Sequence, residues 1–157
     1  MKNWIFIFAG LHLGLISTVA APDLYASVVK IHTTYNKYDF RQPWQSRGRD
    51  SRVGSGCIID NQRILTAAHI VGDATFIRVR LAGRADKVPA TVEFVSHARD
   101  LALLKVDDER FFENTRPLAL GGLPQVGQRV TVCGYPGRSP QPTMTKGIVS
   151  GLRRKTY

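Results

Sequence analysis

Cysteine is scarce in this chain: Cys57 and Cys133 are the only two among 157 residues. Two are too few for the disulfide framework of a small secreted scaffold. There is no CxxC, no HExxH and no His pair at i, i+4, and the His and Cys residues are scattered singly. A tetrahedral site needs three or four convergent ligands, so neither a metal nor another cofactor is expected. Acidic residues are also in short supply, 12 Asp and Glu against 22 Lys and Arg, for a net charge of +10. Residues 121–157 hold Arg129, Arg138, Lys146, Arg153, Arg154 and Lys155 and no acid at all. Such an excess attracts polyanions in general without specifying one. Repeats, RNP-like runs and phosphate cradles are missing too. Gly54-Ser55-Gly56 opens like a dinucleotide fingerprint, yet Ile59 stands where its third glycine belongs and no helix signal follows. Nucleic acid is not expected as a partner.

Only one long apolar run exists, and it lies at the N-terminus. Lys2 precedes it, Trp4 to Ile16 is almost wholly apolar, and Ser17-Thr18-Val19-Ala20-Ala21 follows. That is the layout of a signal peptide. The run is shorter than the ~20 residues a spanning helix needs, so no stable membrane anchor is expected. Cleavage near Ala20 would deliver residues 21–157 to a periplasm or the cell exterior. There the two cysteines could oxidise; their apolar contexts suit buried free thiols equally well.

What is present in quantity is β-type patterning. With 43% hydrophobic and 22% charged residues the composition is globular, and short strand-like runs separated by turn residues predict an all-β fold. Strands are expected at 27–34, 54–59, 63–66, 75–82, 87–96 and 101–106. Asp60-Asn61-Gln62 serves as a hairpin turn. Ile77, Val79 and Leu81 alternate with Arg78 and Arg80, and Val88, Ala90, Val92 and Phe94 do the same, as strands with one buried side require. Leu101 to Val106 is apolar enough for burial on both faces. A polar connector from Asp107 to Gly122 leads to two further strands, 128–134 and 143–152. Two strands cannot close a barrel of their own. The expected organisation is therefore 1–20 as signal peptide, 21–120 as a first barrel and 121–157 as the start of a second. Tyr35 to Arg52 (YNKYDFRQPWQSRGRDSR) reads as a long irregular loop. Its aromatics suit an oligomer contact.

Among the histidines, His69 follows the strand ending at Thr66, and Asp100 immediately precedes the strand that begins at Leu101. A carboxylate at the mouth of an apolar strand is costly unless something hydrogen-bonds it. An imidazole Nδ1–H would do so, fixing the tautomer and leaving Nε2 as a general base. His97 reads as a surface neighbour and His32 as a packed or edge residue.

With those two residues fixed, a set of flanking pieces becomes recognisable: VGSGCIID (53–60), ILTAAHIV (64–71), DLALLKV (100–106), VGQRVTVCGYPGR (126–138) and TKGIVSGL (145–152). In order and spacing the chain resembles the HtrA/Deg (protease Do-like) branch of the trypsin-like serine proteases. Its YDFRQPWQ stretch resembles that of plant Do-like proteins. The resemblance implies a chymotrypsin-like double β-barrel, the first barrel complete and the second present for about two strands. It further implies serine endopeptidase chemistry of the protein quality control class, with His69 as general base and Asp100 as its orienting carboxylate. Substrates would be unfolded or damaged polypeptides. Members usually form trimers or larger homo-oligomers, here through the Tyr35 to Arg52 segment.

The family's nucleophile lies in a GNSGGP-type loop, and the 157 residues contain none. Ser139 (GYPGRSPQ) and Ser150 (GIVSGL) lack its glycine context and precede its place. The chain as it stands is expected to be inactive. A non-catalytic binding or chaperone-like module is the alternative; a basic polyanion-binding protein is a weaker one.

Overall fold

The computed structural model describes residues 24–153 apart from Phe40, Pro43 and Arg138. The expected signal peptide, residues 1–20, lies outside the described residues. Six antiparallel strands form a closed barrel: β1 (Val28–Tyr38), β2 (Ser46–Ile59), β3 (Arg63–Thr66), β4 (Ala74–Leu81), β5 (Val88–Ser96) and β6 (Leu101–Lys105), in the order β1-β2-β3-β6-β5-β4. Closure gives every strand a partner on both sides, although β3 pairs with β2 only over Gly56–Ile59. Val29, Ile31, Ile58, Ile64, Val79, Ala102 and Leu104 fill the interior with no exposed surface, each large aliphatic contributing about 1.5–3 kcal/mol by burial. Phe111, on a 3-10 turn at Glu109–Phe112, joins this core and meets Phe112 edge-on at 5.2 Å.

β2 and β3 form the expected hairpin, with Ile59 opposite Arg63 and left-handed φ angles at Asn61 (62°) and Gln62 (56°). After β6 the connector runs back along the barrel, Leu118 N–H donating to Ile58 O at 2.8 Å. The chain then forms a separate hairpin of β7 (Arg129–Gly134) and β8 (Thr143–Ile148). Its inner end is fastened to the first barrel. Tyr135 N–H donates to Ser55 Oγ at 2.8 Å, Lys30 Nζ to Ser139 O at 2.6 Å and Arg80 Nη2 to Pro140 O at 2.9 Å. Val132, Met144 and Ile148 stay exposed, no further strand lying beside them among the described residues.

Three expectations are corrected. Tyr35 to Arg52 is no irregular loop: the β1–β2 ladder continues outward through Tyr35↔Asp50 and Asn36↔Arg49 to Tyr38↔Ser46, and only residues 39–45 turn. This arm projects beyond the core, so neither face is apolar and the alternation that marks a half-buried strand is missing. β6 is buried on one face only. Ala102 and Leu104 point inward while Leu101 is exposed, because none of the described residues covers the outer wall there. In β5 only Ala90 is buried. The register shifts between Val92 and Phe94, a bulge that spoils the inward series and leaves Val92 and Phe94 in solvent.

Candidate active site

β3 ends at Thr66, Ala67 remains extended, and Ala68–Val71 close into one short helix, α1. Ala68 and Val71, three positions apart, share the face turned to the barrel and are buried. His69, one step from Ala68, is thereby turned outward. Room for α1 comes from β2. A Cβ at Gly54 would stand 2.7 Å from Ile70 Cγ2, and one at Gly56 would meet Ile64 and Ile31 at 2.8 and 2.9 Å. The GSG segment is thus small for packing reasons.

Asp100 arrives from the far side of β3. Thr66 pairs with Ala102, so the end of β3 and the beginning of β6 share one rim of the barrel. A 3-10 turn at His97–Arg99 delivers Asp100 in a left-handed conformation (φ 52°, ψ 44°), which Asp tolerates better than most residues. Its carboxylate grips His69 twice. Oδ1 accepts from the His69 backbone N–H at 2.8 Å, and Oδ2 lies 2.7 Å from Nδ1. Both side chains are about half exposed. The His69 N–H, then its ring, and lastly the Ala68 N–H hold the Asp100 carboxyl below the usual carboxylate range, against the opposing effect of desolvation.

This pairing orients the imidazole with Nδ1 toward the carboxylate and Nε2 toward solvent, the arrangement in which Nε2 can accept a proton from a hydroxyl. No serine bonds to His69 among the described residues. Ser139 Oγ is tied into its own turn by Gln141 O at 2.8 Å and Gln141 N at 3.3 Å. His97 starts the turn before Asp100 and makes no bond to it through its ring. His32 lies elsewhere, on the outer face of β1. Burial first, and then Lys87, Lys30, Arg80 and Arg78, push its pKa down to about 4. Cys57 and Cys133 are not bridged to each other, and burial raises the Cys57 thiol pKa.

Comparison with known proteins settles the family. Residues 54–157 match the trypsin-like peptidase domain. The chain belongs to the trypsin-like peptidase family, in its HtrA/Deg (protease Do-like) branch. It is 40% identical to protease Do-like 4, mitochondrial, of Arabidopsis thaliana over 131 residues, 83% of this chain and 25% of that protein. With protease Do-like 2, chloroplastic, of the same plant it shares 36% over 131 residues, covering 83% of this chain and 22% of the relative. A serine protease DegP homolog of Plasmodium falciparum is 32% identical over 133 residues, 85% of this chain and 15% of its own length. The chain thus spans a quarter or less of these three trypsin-like relatives. Its closed barrel and following hairpin are consistent with one complete barrel and the opening of the second in a chymotrypsin-like double barrel.

Proposed function

We propose that this chain carries the proton-transfer half of an HtrA/Deg-type serine endopeptidase. The observation that supports it most is the double hydrogen bond from His69 to Asp100. In this reading Nε2 of His69 takes the proton of an attacking serine hydroxyl and later gives it to the leaving amine. Asp100 holds the ring in the right tautomer and stabilises the imidazolium that forms. The nucleophile and the oxyanion-hole N–H groups belong to a loop that these 157 residues do not contain. Each missing oxyanion donor alone is worth about 2.7–4 kcal/mol of barrier. The chain by itself therefore hydrolyses nothing. Unfolded or damaged polypeptides are the substrates, and the β1–β2 arm, with Trp44 81% exposed at its turn, is the surface for a homotrimer or larger homo-oligomer. Export follows from residues 1–20, which hold one Lys and no Arg, unlike an Arg-rich organelle transit peptide.

Acylation by diethyl pyrocarbonate, read site by site by mass spectrometry, tests the central claim. His69 is expected to react faster than His97 or His32, and Asp100→Asn to slow it roughly tenfold, since the amide donates to Nδ1 and forces the proton onto Nε2. Equal rates in the two proteins overturn the assignment. Casein hydrolysis by the 157-residue chain that His69→Ala abolishes would overturn the expected inactivity.

A second reading, a non-catalytic binding or chaperone-like module, draws on the exposed Leu120, Leu123, Val126, Val132 and Ile148. The nucleotides after the Tyr157 codon separate the two. An open frame reaching a GNSGGP-type loop supports the peptidase, and an immediate stop supports the module.

A further inference from the structure

Asp100 accounts for one side of His69; the other side is held by a residue that no pattern in the sequence singles out. Arg52 sits on β2 directly opposite Thr33, which is 1% exposed, and two residues before Gly54. By the two-residue period of a strand, Arg52, Gly54 and Gly56 share the face that looks into the barrel. Arg52 thus stands at the barrel mouth, one step outside the glycine that admits Ile70. Its Nη1 donates to the backbone carbonyl of His69. That carbonyl belongs to the end of α1, a helix of four residues that stops at Gly72, where the last C=O groups have no partner within the helix. A cation is also favoured at that end.

The guanidinium has no carboxylate partner among the described residues. Instead its Cζ lies 4.6 Å from the ring centroid of Tyr35, its diagonal cross-strand neighbour. The Tyr35 hydroxyl in turn donates to Asp50 Oδ2 at 3.3 Å. A half-buried cation whose contacts are one aromatic face and one carbonyl is placed for those contacts rather than for an ion pair.

We infer that Arg52, held flat by the Tyr35 ring, is a positioning residue for His69. It anchors the carbonyl of the residue whose N–H and ring Asp100 anchors, so that the imidazole is fixed from both sides of its own backbone. The inference rests on the reading of His69 as the general base, and its test separates the two.

Amide hydrogen exchange and diethyl pyrocarbonate acylation are measured on the 157-residue chain carrying Arg52→Ala, Arg52→Lys, Tyr35→Leu or Tyr35→Phe. Arg52→Ala is expected to speed exchange of the His69 N–H at least fivefold and to change the His69 acylation rate at least threefold, while Ile31 and Leu104 amides keep their protection. Arg52→Lys restores part of the effect, because an ammonium reaches the carbonyl without stacking as well on the ring. Tyr35→Leu resembles Arg52→Ala, and Tyr35→Phe, which retains the ring, resembles wild type. A merely structural role would move the barrel amides and the His69 N–H together, and that result overturns the inference. So does a His69 N–H within twofold of wild type in Arg52→Ala. Should Arg52→Ala fail to fold, Arg52→Lys and Tyr35→Leu decide by the same criteria. If Asp100→Asn leaves His69 acylation unchanged, the general-base reading fails whatever Arg52 does.

Discussion

Acid should weaken this barrel below about pH 6.5, and the cause is His32. Its ring lies on the outer face of β1, where Arg78 of β4 is its direct cross-strand partner and Lys30, Arg80 and Lys87 are the other cations acting on it. Nε2 is enclosed and has no hydrogen-bond partner among the described residues, so a proton added there would gain a charge without an acceptor. Burial and these four cations hold the pKa at about 4 instead of 6.5. The folded protein thus keeps His32 neutral down to about pH 4, whereas the unfolded chain binds a proton below about pH 6.5. Stability on this account is complete above pH 6.5, falls as the pH drops toward 4, and then levels off. At 1.36 kcal/mol per pH unit the drop from 6.5 to about 4 corresponds to at most about 3.4 kcal/mol. Solvent reaches part of the ring, which reduces this to about 1–2 kcal/mol. Urea unfolding followed by far-UV circular dichroism at half-unit steps from pH 7.5 to 4 measures it. His32→Gln, which cannot titrate, should flatten the slope between pH 6.5 and 4 relative to wild type. Parallel curves for the two proteins, or a wild type more stable at pH 5 than at pH 7, refute the reasoning.

Other perturbations have equally definite outcomes. Gly56→Ala forces a methyl against Ile64 Cγ2, Ile31 Cδ1 and the Leu65 carbonyl, an overpacking expected to lower the urea-unfolding free energy by about 1–3 kcal/mol. Leu104→Ala, at a position with no exposed surface, should cost about 2–5 kcal/mol by the same measurement. Asp100→Asn removes a carboxylate held below its usual range by His69 and Ala68. The stability that carboxylate confers is present above the unfolded Asp range and is lost as pH falls through the lower folded value. The variant should therefore lose stability near neutrality and be less sensitive to the lowest pH.

The barrel was legible from the sequence because its strands have one wet side and one dry side. Ile77, Val79 and Leu81 announce β4, and their observed burial follows the alternation residue by residue. Where that condition fails, the reading failed. The β1–β2 arm is wet on both faces and carries no alternation to mark it as strand; the bulge in β5 adds one residue and breaks the inward series. The closeness of His69 and Asp100 was legible for a different reason. His69 comes three residues after the end of β3 and Asp100 immediately before the start of β6, and the pairing of Thr66 with Ala102 follows once β3 and β6 are neighbours. Arg52 could not be found this way. It is one of several arginines in a polar stretch, and only the closed ladder shows that it faces the barrel mouth.

That difference follows from how β2 is built. Over Arg52, Gly54 and Gly56 the strand presents one face inward, and each position serves a different depth of the barrel. Gly56 lies between Ile31 and Ile64 and sets how closely β2 approaches the core. At Gly54, Ile70 is admitted, and the level at which α1 plugs the mouth is fixed. Arg52 reaches the carbonyl left open at the end of α1. A side chain at Gly54 would lift Ile70, and His69 with it, away from an Asp100 fixed immediately before β6, so distances of 2.7 and 2.8 Å could not both be kept. The geometry of the His–Asp pair is therefore set as much by what β2 omits at two glycines as by the two residues themselves.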